Sequence, residues 1–201
     1  EDDSTVTKIS AFMVNEEKIG IYQDAGERNW WDGDLPKNVT SYDTLEKLEK
    51  SDSRGFLIIS DKKITGEVIK KAVVYRPKTL VVGIGLHGNT TKEKIMNCLS
   101  MCLEKFDLSP KAIARFVSLK KPQEISSLVE AAKEFGVSVE YFEREDLARV
   151  GIPNPSVTVE AFEGTASVSE AAAILSSKGA LLVEKQKFPP DLTIAIARIE
   201  K

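Results

Sequence analysis

The stretch Leu80–Thr91 (LVVGIGLHGNTT) holds the residue types and spacing that most suggest ligand chemistry. Gly83, Gly85 and Gly88 form a G-x-G-x-x-G pattern directly after a β-branched run. Glycines between a strand and a helix let the backbone approach an anion, and the helix N-terminus favours negative charge. The pattern predicts either a dinucleotide-binding loop or a glycine turn that binds another anionic ligand.

A dinucleotide site needs an acidic residue at the end of the next strand, where it holds the ribose. The next predicted strand ends in Leu119-Lys120-Lys121, and Asp107 precedes that strand instead of following it. Lysines at this position would suit a 2′-phosphate. A nucleotide-dependent oxidoreductase therefore stays a minor alternative.

His87 is the single histidine of the chain and lies in the same loop. A neutral imidazole can transfer protons or bind metal, whereas a lone loop histidine is commonly a solvated surface residue. We favour the second interpretation. Cys98 and Cys102 fall in one helical pattern, and no further ligand completes a metal set, so core packing is expected and no metal site is predicted.

Short apolar strands alternate with amphipathic helices along the chain. Strands are predicted at 18–23, 56–60, 72–75, 79–84, 112–119, 137–142, 181–184 and 193–197. Helices are predicted at 42–50, 91–106, 122–135, 144–150 and 169–177, with a helical turn at 64–71. The alternation predicts an α/β fold whose second half is a mostly parallel sheet with helices on both faces.

Pro77 interrupts this pattern, because proline cannot donate to a sheet ladder and restricts the residue before it. We therefore predict two small domains, 1–76 and 77–201. Thr90 and Glu93 have capping-box spacing, which predicts a helix that begins near Thr91.

The composition excludes several classes of protein. The 201 residues are 42% hydrophobic and 29% charged, with a net charge of −3, which favours a folded protein over a broad nucleic-acid surface. No apolar run reaches the roughly 18 residues that span a bilayer. Two cysteines and no signal peptide point to the cytoplasm. The opening EDDSTVTK lacks a methionine, so we expect the chain to begin inside a longer protein.

Further candidate residues lie in three other loops. Asn154 and Ser156 belong to a proline-stiffened loop that either connects two helices or presents its polar groups to a ligand. Gly164 and Thr165 precede an alanine-rich helix and form either a capped turn or a second helix-entry anion site. Lys185 follows a predicted strand and would add positive charge to the same cleft.

Trp30 and Trp31 lie in a polar loop of the first half. They could stack on a flat ring, but large aromatic side chains mainly bury area, so we expect them to cap the core of the first domain. The acidic residues around them are expected to be solvated.

The second half contains IPNPS, VEAFEGTASVSEAAAIL, LLVEKQK and TIAIAR. With LVVGIG and its helix, these stretches resemble the C-terminal domain of the CbiG family of anaerobic cobalamin biosynthesis. The first half, with IGIYQDAG and the tryptophans that follow, is similar to the middle region of that family. Family members usually carry an additional N-terminal domain, which this sequence does not include.

The resemblance implies an enzyme, a cobalt-precorrin-5A hydrolase. Such enzymes hydrolyse the ring-A lactone of a cobalt-bearing tetrapyrrole that carries many carboxylates, and they release a two-carbon fragment as acetaldehyde. The alternative is a non-catalytic module that binds or delivers the tetrapyrrole. The resemblance also implies no separate cofactor, since the substrate carries the cobalt. The expected partners are the substrate, a second copy of the chain and neighbouring enzymes of the pathway, with no nucleic acid and no membrane.

The glycine loop departs from the family pattern G-I-G-C-R-R-G-T. Leu86, His87 and Gly88 replace Cys-Arg-Arg, Asn89 replaces the next glycine, and Thr90 matches the threonine. Two arginines that would clamp carboxylates are therefore missing. We assign no catalytic residue. The predicted substrate-binding residues are Gly83, Gly85, His87, Asn89, Thr90, Asn154, Ser156, Gly164, Thr165 and Lys185.

Overall fold

A computed structural model describes residues 3–123, 125–155 and 167–200, with side chains from Val6 onward. The chain divides after Lys78 into two compact units. None of the helices in these described ranges is long and apolar enough to cross a membrane.

The N-terminal unit is built on a four-stranded parallel sheet in the order β2-β1-β3-β4. Its elements are α1 (Asp3–Val14), β1 (Ile19–Gln23), β2 (Val39–Tyr42), α2 (Leu45–Glu49), β3 (Gly55–Ile59), a 3₁₀ helix (Glu67–Lys71) and β4 (Ala72–Tyr75). Alternate strand residues form two cores, with α1 on one face and α2 on the other. Sequence analysis predicted neither α1 nor β2.

The C-terminal unit has a five-stranded sheet in the order β7-β6-β5-β9-β8. Its elements are β5 (Leu80–Leu86), α3 (Lys92–Lys105), a 3₁₀ helix (Pro110–Ala112), β6 (Ile113–Leu119), α4 (Ser126–Glu134), β7 (Val139–Phe142), α5 (Arg144–Ala148), α6 (Val168–Ser177), β8 (Leu181–Phe188) and β9 (Leu192–Arg198). Strands β5, β6 and β7 are parallel, and β9 runs antiparallel to both β5 and β8. The predicted α/β class is confirmed. The prediction of a mostly parallel sheet in this unit is wrong, because β9 pairs antiparallel with both β5 and β8 and the sheet is therefore mixed.

Strand β5 lies at the centre of this sheet and is covered on both faces. Leu80, Val82 and Ile84 belong to the core beneath α3 and α4. Val81 belongs to the core beneath α5 and α6. Because alternate residues of a strand point to opposite faces, Gly83 and Gly85 also face α6. Helices therefore lie on both faces of the sheet, as predicted.

Candidate functional site

Gly83 and Gly85, the first two glycines of the G-x-G-x-x-G pattern, lie inside β5 and not in a turn after it. A Cβ atom at Gly83 would lie 1.9 Å from the backbone oxygen of Ser169 in α6. A Cβ atom at Gly85 would lie 2.6 Å from Oγ1 of Thr193. The prediction of a strand-end turn at these glycines is wrong, because β5 continues to Leu86 and the glycines let α6 approach the sheet. Glycines covered by a helix cannot cradle a pyrophosphate, which removes the support for a dinucleotide site.

The loop between β5 and α3 is joined to the turn between β8 and β9. Thr90 is buried, and its hydroxyl donates to Oδ2 of Asp191 over 2.9 Å. The backbone nitrogen of His87 donates to the Asp191 carbonyl over 3.0 Å, and Lys94 forms an ion pair with the Asp191 carboxylate. Helix α3 is capped by Thr91, whose Oγ1 accepts from the Lys94 nitrogen. The predicted capping role of Thr90 is wrong by one residue, since Asp191 engages its hydroxyl instead.

Asp191 makes the stability of the link between the β5–α3 loop and the β8–β9 turn dependent on pH. The hydrogen bond from Lys94, with that from Thr90, lowers the pKa of Asp191 below its ordinary value of 3.8. A lowered carboxyl pKa adds stability that is present above the ordinary pKa and is lost as pH falls through the lowered one. We therefore expect Asp191→Asn to unfold more easily than wild type at neutral pH, with a difference that shrinks below about pH 4.

Urea unfolding between neutral pH and about pH 2 measures that difference. Asp146→Asn is the matched control, because Asp146 is exposed and lies 4.0 Å from Arg149. A wild-type advantage over Asp191→Asn that stayed constant down to the lowest pH would contradict this role of the carboxylate.

The tip of the β5–α3 loop faces solvent. His87, Gly88 and Asn89 are exposed, and nothing lies within 4 Å of a Cβ placed on Gly88. His87 thus has the surface position that sequence analysis favoured, and its place at the carboxyl end of β5 is where parallel α/β sheets bind ligands.

A second polar cluster lies where α6 begins. Glu170, in the first turn of α6, is fully buried. Its Oε1 accepts from Nδ2 of Asn154 over 2.8 Å and from the backbone nitrogen of Lys185 over 3.1 Å. Nζ of Lys185 in turn donates to the Asn154 carbonyl. The structure therefore brings together Asn154 and Lys185, two predicted residues separated by about thirty positions, around a glutamate that sequence analysis did not single out.

Three buried polar atoms at the start of α6 have no hydrogen-bond partner in the described part of the chain. They are Oε2 of Glu170 and the hydroxyl oxygens of Ser167 and Ser169. An unpaired buried polar group costs about 1–3 kcal/mol, so such a cluster is expected where a ligand supplies the missing bonds. A carboxylate oxygen such as Oε2 of Glu170 can hold a water molecule or a substrate hydroxyl and accept its proton.

One lysine, Lys185, lies beside this cluster, and another, Lys121, lies at the end of β5. Burial lowers the pKa of Lys185, opposed by the nearby Glu170 carboxylate and assisted by Lys187. Lys121 reaches back to the end of β5, where its Nζ donates to the Leu86 carbonyl over 3.1 Å. An edge with these lysines suits a ligand that carries several carboxylates.

The described residues contain no group of three or more acidic, histidine or cysteine side chains that could hold a metal ion. Cys98 and Cys102 are buried, and burial raises the pKa of Cys102 to about 11. A thiol of that kind is inert, as core packing predicts.

Three of the predicted binding residues, Ser156, Gly164 and Thr165, lie outside the described residues. Glu170 was missed although the sequence contains a usable signal. In VSEAAAIL a single glutamate interrupts an otherwise apolar and small helix face. A buried carboxylate needs specific partners, so an acidic residue on such a face is a site candidate.

Two family models match the chain. Residues 80–197 match the cobalamin synthesis G C-terminus, and residues 1–77 match the cobalamin biosynthesis central region. The chain belongs to the cobalamin synthesis G family. A cobalt-precorrin-5A hydrolase from Priestia megaterium is 28% identical to it over 204 residues, which cover 99% of this chain and 54% of the relative. The chain thus spans about half the length of this relative.

Solved structures agree on the fold. CobE, a protein from the cobalamin (vitamin B12) biosynthetic pathway, is 23% identical with a TM-score of 0.58, over 62% of this chain and 92% of CobE. A structure assigned as a cobalamin biosynthesis protein G homolog from Sulfolobus solfataricus is 21% identical with a TM-score of 0.52, over 100% of this chain and 56% of that one. The architecture of the cobalamin synthesis G family is therefore present here.

Proposed function

We propose that this chain is the central and C-terminal part of a cytoplasmic cobalt-precorrin-5A hydrolase and that its substrate binds at the carboxyl edge of the C-terminal sheet. The observation that carries the proposal is the fully buried Glu170, whose Oε2 has no hydrogen-bond partner among the described residues; the same holds for the hydroxyls of Ser167 and Ser169 at the start of the same helix. Family membership and the hydrolase relative support the choice of reaction.

Glu170 acts as the base for lactone opening. Its Oε2 takes a proton from water, and the water oxygen bonds to the lactone carbonyl carbon. The carbonyl oxygen carries negative charge in the resulting tetrahedral intermediate. The ammonium group of Lys185, which donates to the Asn154 carbonyl and interacts electrostatically with Glu170, is the group that stabilises it. The ring carbon–oxygen bond then breaks, the alkoxide takes a proton, and the products are a carboxylate and a hydroxyl group.

Release of acetaldehyde follows as a retro-aldol step. A base removes the proton of the hydroxyl group, the adjacent carbon–carbon bond breaks, and acetaldehyde leaves. The electron pair of that bond passes into the conjugated macrocycle, which later takes up a proton. The macrocycle is thus its own electron sink, and the protein needs only to position it and to accept a proton. No separate cofactor is required, because the substrate carries the cobalt.

Polar side chains at the carboxyl edge of the C-terminal sheet would bind the carboxylates of the macrocycle. His87 and Asn89 are exposed at the loop tip, Asn154 lies beside Lys185, and Thr90 holds the loop in place through Asp191. With no arginine in the loop, the grip rests on lysines and amides, which bind carboxylates without the bidentate geometry of a guanidinium. Ser156, Gly164 and Thr165 stay in the proposed set. Gly83 and Gly85 serve it only by allowing α6 to approach.

A binding or delivery module is the second candidate. The observation in its favour is that the match to CobE takes in 62% of this chain and 92% of CobE, so a part of this fold occurs as a nearly complete protein. Such a module would use the same edge to hold the tetrapyrrole without opening its lactone. A second copy of the chain and neighbouring enzymes of the pathway are the partners we propose in either case.

Acetaldehyde release from cobalt-precorrin-5A tests the proposal. The assay compares this chain with a protein extended at its N-terminus to the length of the hydrolase relative. Release by either protein is expected under the hydrolase proposal. Substrate binding by both, with release by neither, would replace the enzyme with the binding module.

A further inference from the structure

The N-terminal unit contains a cavity of about 620 Å³ that the proposed reaction does not use. All of its lining residues fall between Val6 and Pro77, within this one unit. Its floor is one face of the sheet, with Ile21, Leu57 and Val73, and its walls are α1 and the loop after β1. A volume of roughly 300–1,000 Å³ is typical of sites for small organic molecules.

The cavity opens at the point where such sheets bind ligands. Strand β1 continues to β2 on one side of the sheet, whereas β3, which pairs with β1, continues to β4 on the other side. Connections that leave in opposite directions create a crevice at the carboxyl ends of the two strands. Gly26 and Glu27 after β1, Ile59 at the end of β3 and Arg76 after β4 all line the cavity at this edge.

Two tryptophan rings line the cavity walls, and their indole nitrogens already donate hydrogen bonds to other residues of this unit. Trp30 and Trp31 line the cavity with 40% and 42% of their surface exposed, so they do not cap a closed core as predicted. The indole nitrogen of Trp30 donates to Gln23 over 2.7 Å, and that of Trp31 donates to the Asp34 carbonyl over 3.2 Å. Because their N–H groups are satisfied, the rings offer only flat apolar contact to a ligand.

Arg76 is the basic residue of the lining. One of its five N–H donors is given to the Lys62 carbonyl, which fixes the guanidinium at the mouth. Partial burial lowers the pKa of Arg76, and a bound anion would offset that loss of solvation. The acidic Glu27 lies at the same mouth and disfavours a second negative group. The charges therefore suit one acidic group, not the many carboxylates of a precorrin.

We propose that this cavity is a second binding site, for a flat aromatic or conjugated small molecule with a single acidic group. The ligand lies along the sheet face against the tryptophans, whose rings contact each other edge to face, and its acidic group pairs with Arg76. This site goes beyond the proposed hydrolase activity and stands or falls independently of it.

The naphthalene dye 1-anilinonaphthalene-8-sulfonate, an aromatic anion, is the probe that tests the site. The chain contains two tryptophans, Trp30 and Trp31, and both line the cavity. Energy transfer from tryptophan to the dye therefore reports binding, and the effect of Arg76→Gln assigns that binding to this site. We expect saturable transfer with one dye per chain.

Arg76→Gln is expected to raise the Kd of the dye about tenfold, because it removes a charged hydrogen-bond donor. Arg54→Gln is the matched control and should leave the Kd unchanged, since Arg54 lies outside the lining and pairs with Glu17. The neutral probe N-phenyl-1-naphthylamine should bind wild type and Arg76→Gln equally. Absence of transfer, more than one dye per chain, or equal dye affinity for Arg76→Gln and Arg54→Gln would overturn the proposal.

Discussion

Gly83→Ala is expected to destabilise the C-terminal unit by about 3 kcal/mol, at the upper end of the usual cost of overpacking a core. The added methyl group would lie 1.9 Å from a backbone oxygen of α6 and 2.9 Å from Cβ of Ala173. A flexible side chain could rotate away from such a clash, but a helix backbone has to move as a whole. The strand and helix must separate, which opens the core that Val81 shares with α6.

The two other glycines of the pattern provide graded controls in the same stretch. At Gly85 a methyl group meets Oγ1 of Thr193 at 2.6 Å, a side-chain atom that can rotate at the cost of its hydrogen bond to the Gly85 carbonyl. Gly85→Ala should therefore cost about 1 kcal/mol. Gly88→Ala meets nothing within 4 Å and should change the stability by less than about 0.5 kcal/mol.

Urea unfolding followed by circular dichroism measures the three free energies, and amide hydrogen exchange in β5 locates the loss. The order Gly83, Gly85, Gly88 is the decisive result. If all three variants were equally stable, the close approach of α6 to β5 would be wrong. If Gly88→Ala lowered the stability most, the pattern would again favour the dinucleotide-binding loop over close packing of α6.

The glycine pattern shows which part of the fold the sequence could predict. The alternation of strands and helices around it is local, so the elements of the second half and the α/β class followed from periodicity. What the glycines are for depends on α6, which begins more than eighty residues later. A close approach between distant elements leaves no local trace, and a strand-interior glycine looks the same as a turn glycine in a sequence.

The candidate site shows the same contrast between local features, which the sequence predicts, and long-range contacts, which it does not. Thr90 was predicted from its loop, but its partner Asp191 is 101 residues away, and the cap that it seemed to form belongs to Thr91. Asn154 and Lys185 were predicted separately, and only the fold shows that both meet at one carboxylate. Loop positions could thus be predicted from residue type, whereas the pairs that define the chemistry could not.

The largest effect on activity is expected for Glu170→Gln. General-base catalysis typically contributes a factor of 10²–10⁴, so acetaldehyde release should fall by about that factor. The amide oxygen of glutamine can still accept from Asn154 and from the Lys185 nitrogen, so the fold should be kept.

Glu184→Gln is the matched control for this prediction. The Glu184 carboxylate also accepts from Nδ2 of Asn154, over 2.9 Å, but it is exposed and on the solvent side of β8. The rate of acetaldehyde release by Glu184→Gln should stay within about threefold of the wild-type rate. The measurement uses whichever form of the protein releases acetaldehyde, so a failure here is separate from a failure of the hydrolase proposal. A Glu170→Gln rate as high as that of Glu184→Gln would show that another group is the base and that Glu170 only joins α6 to β8.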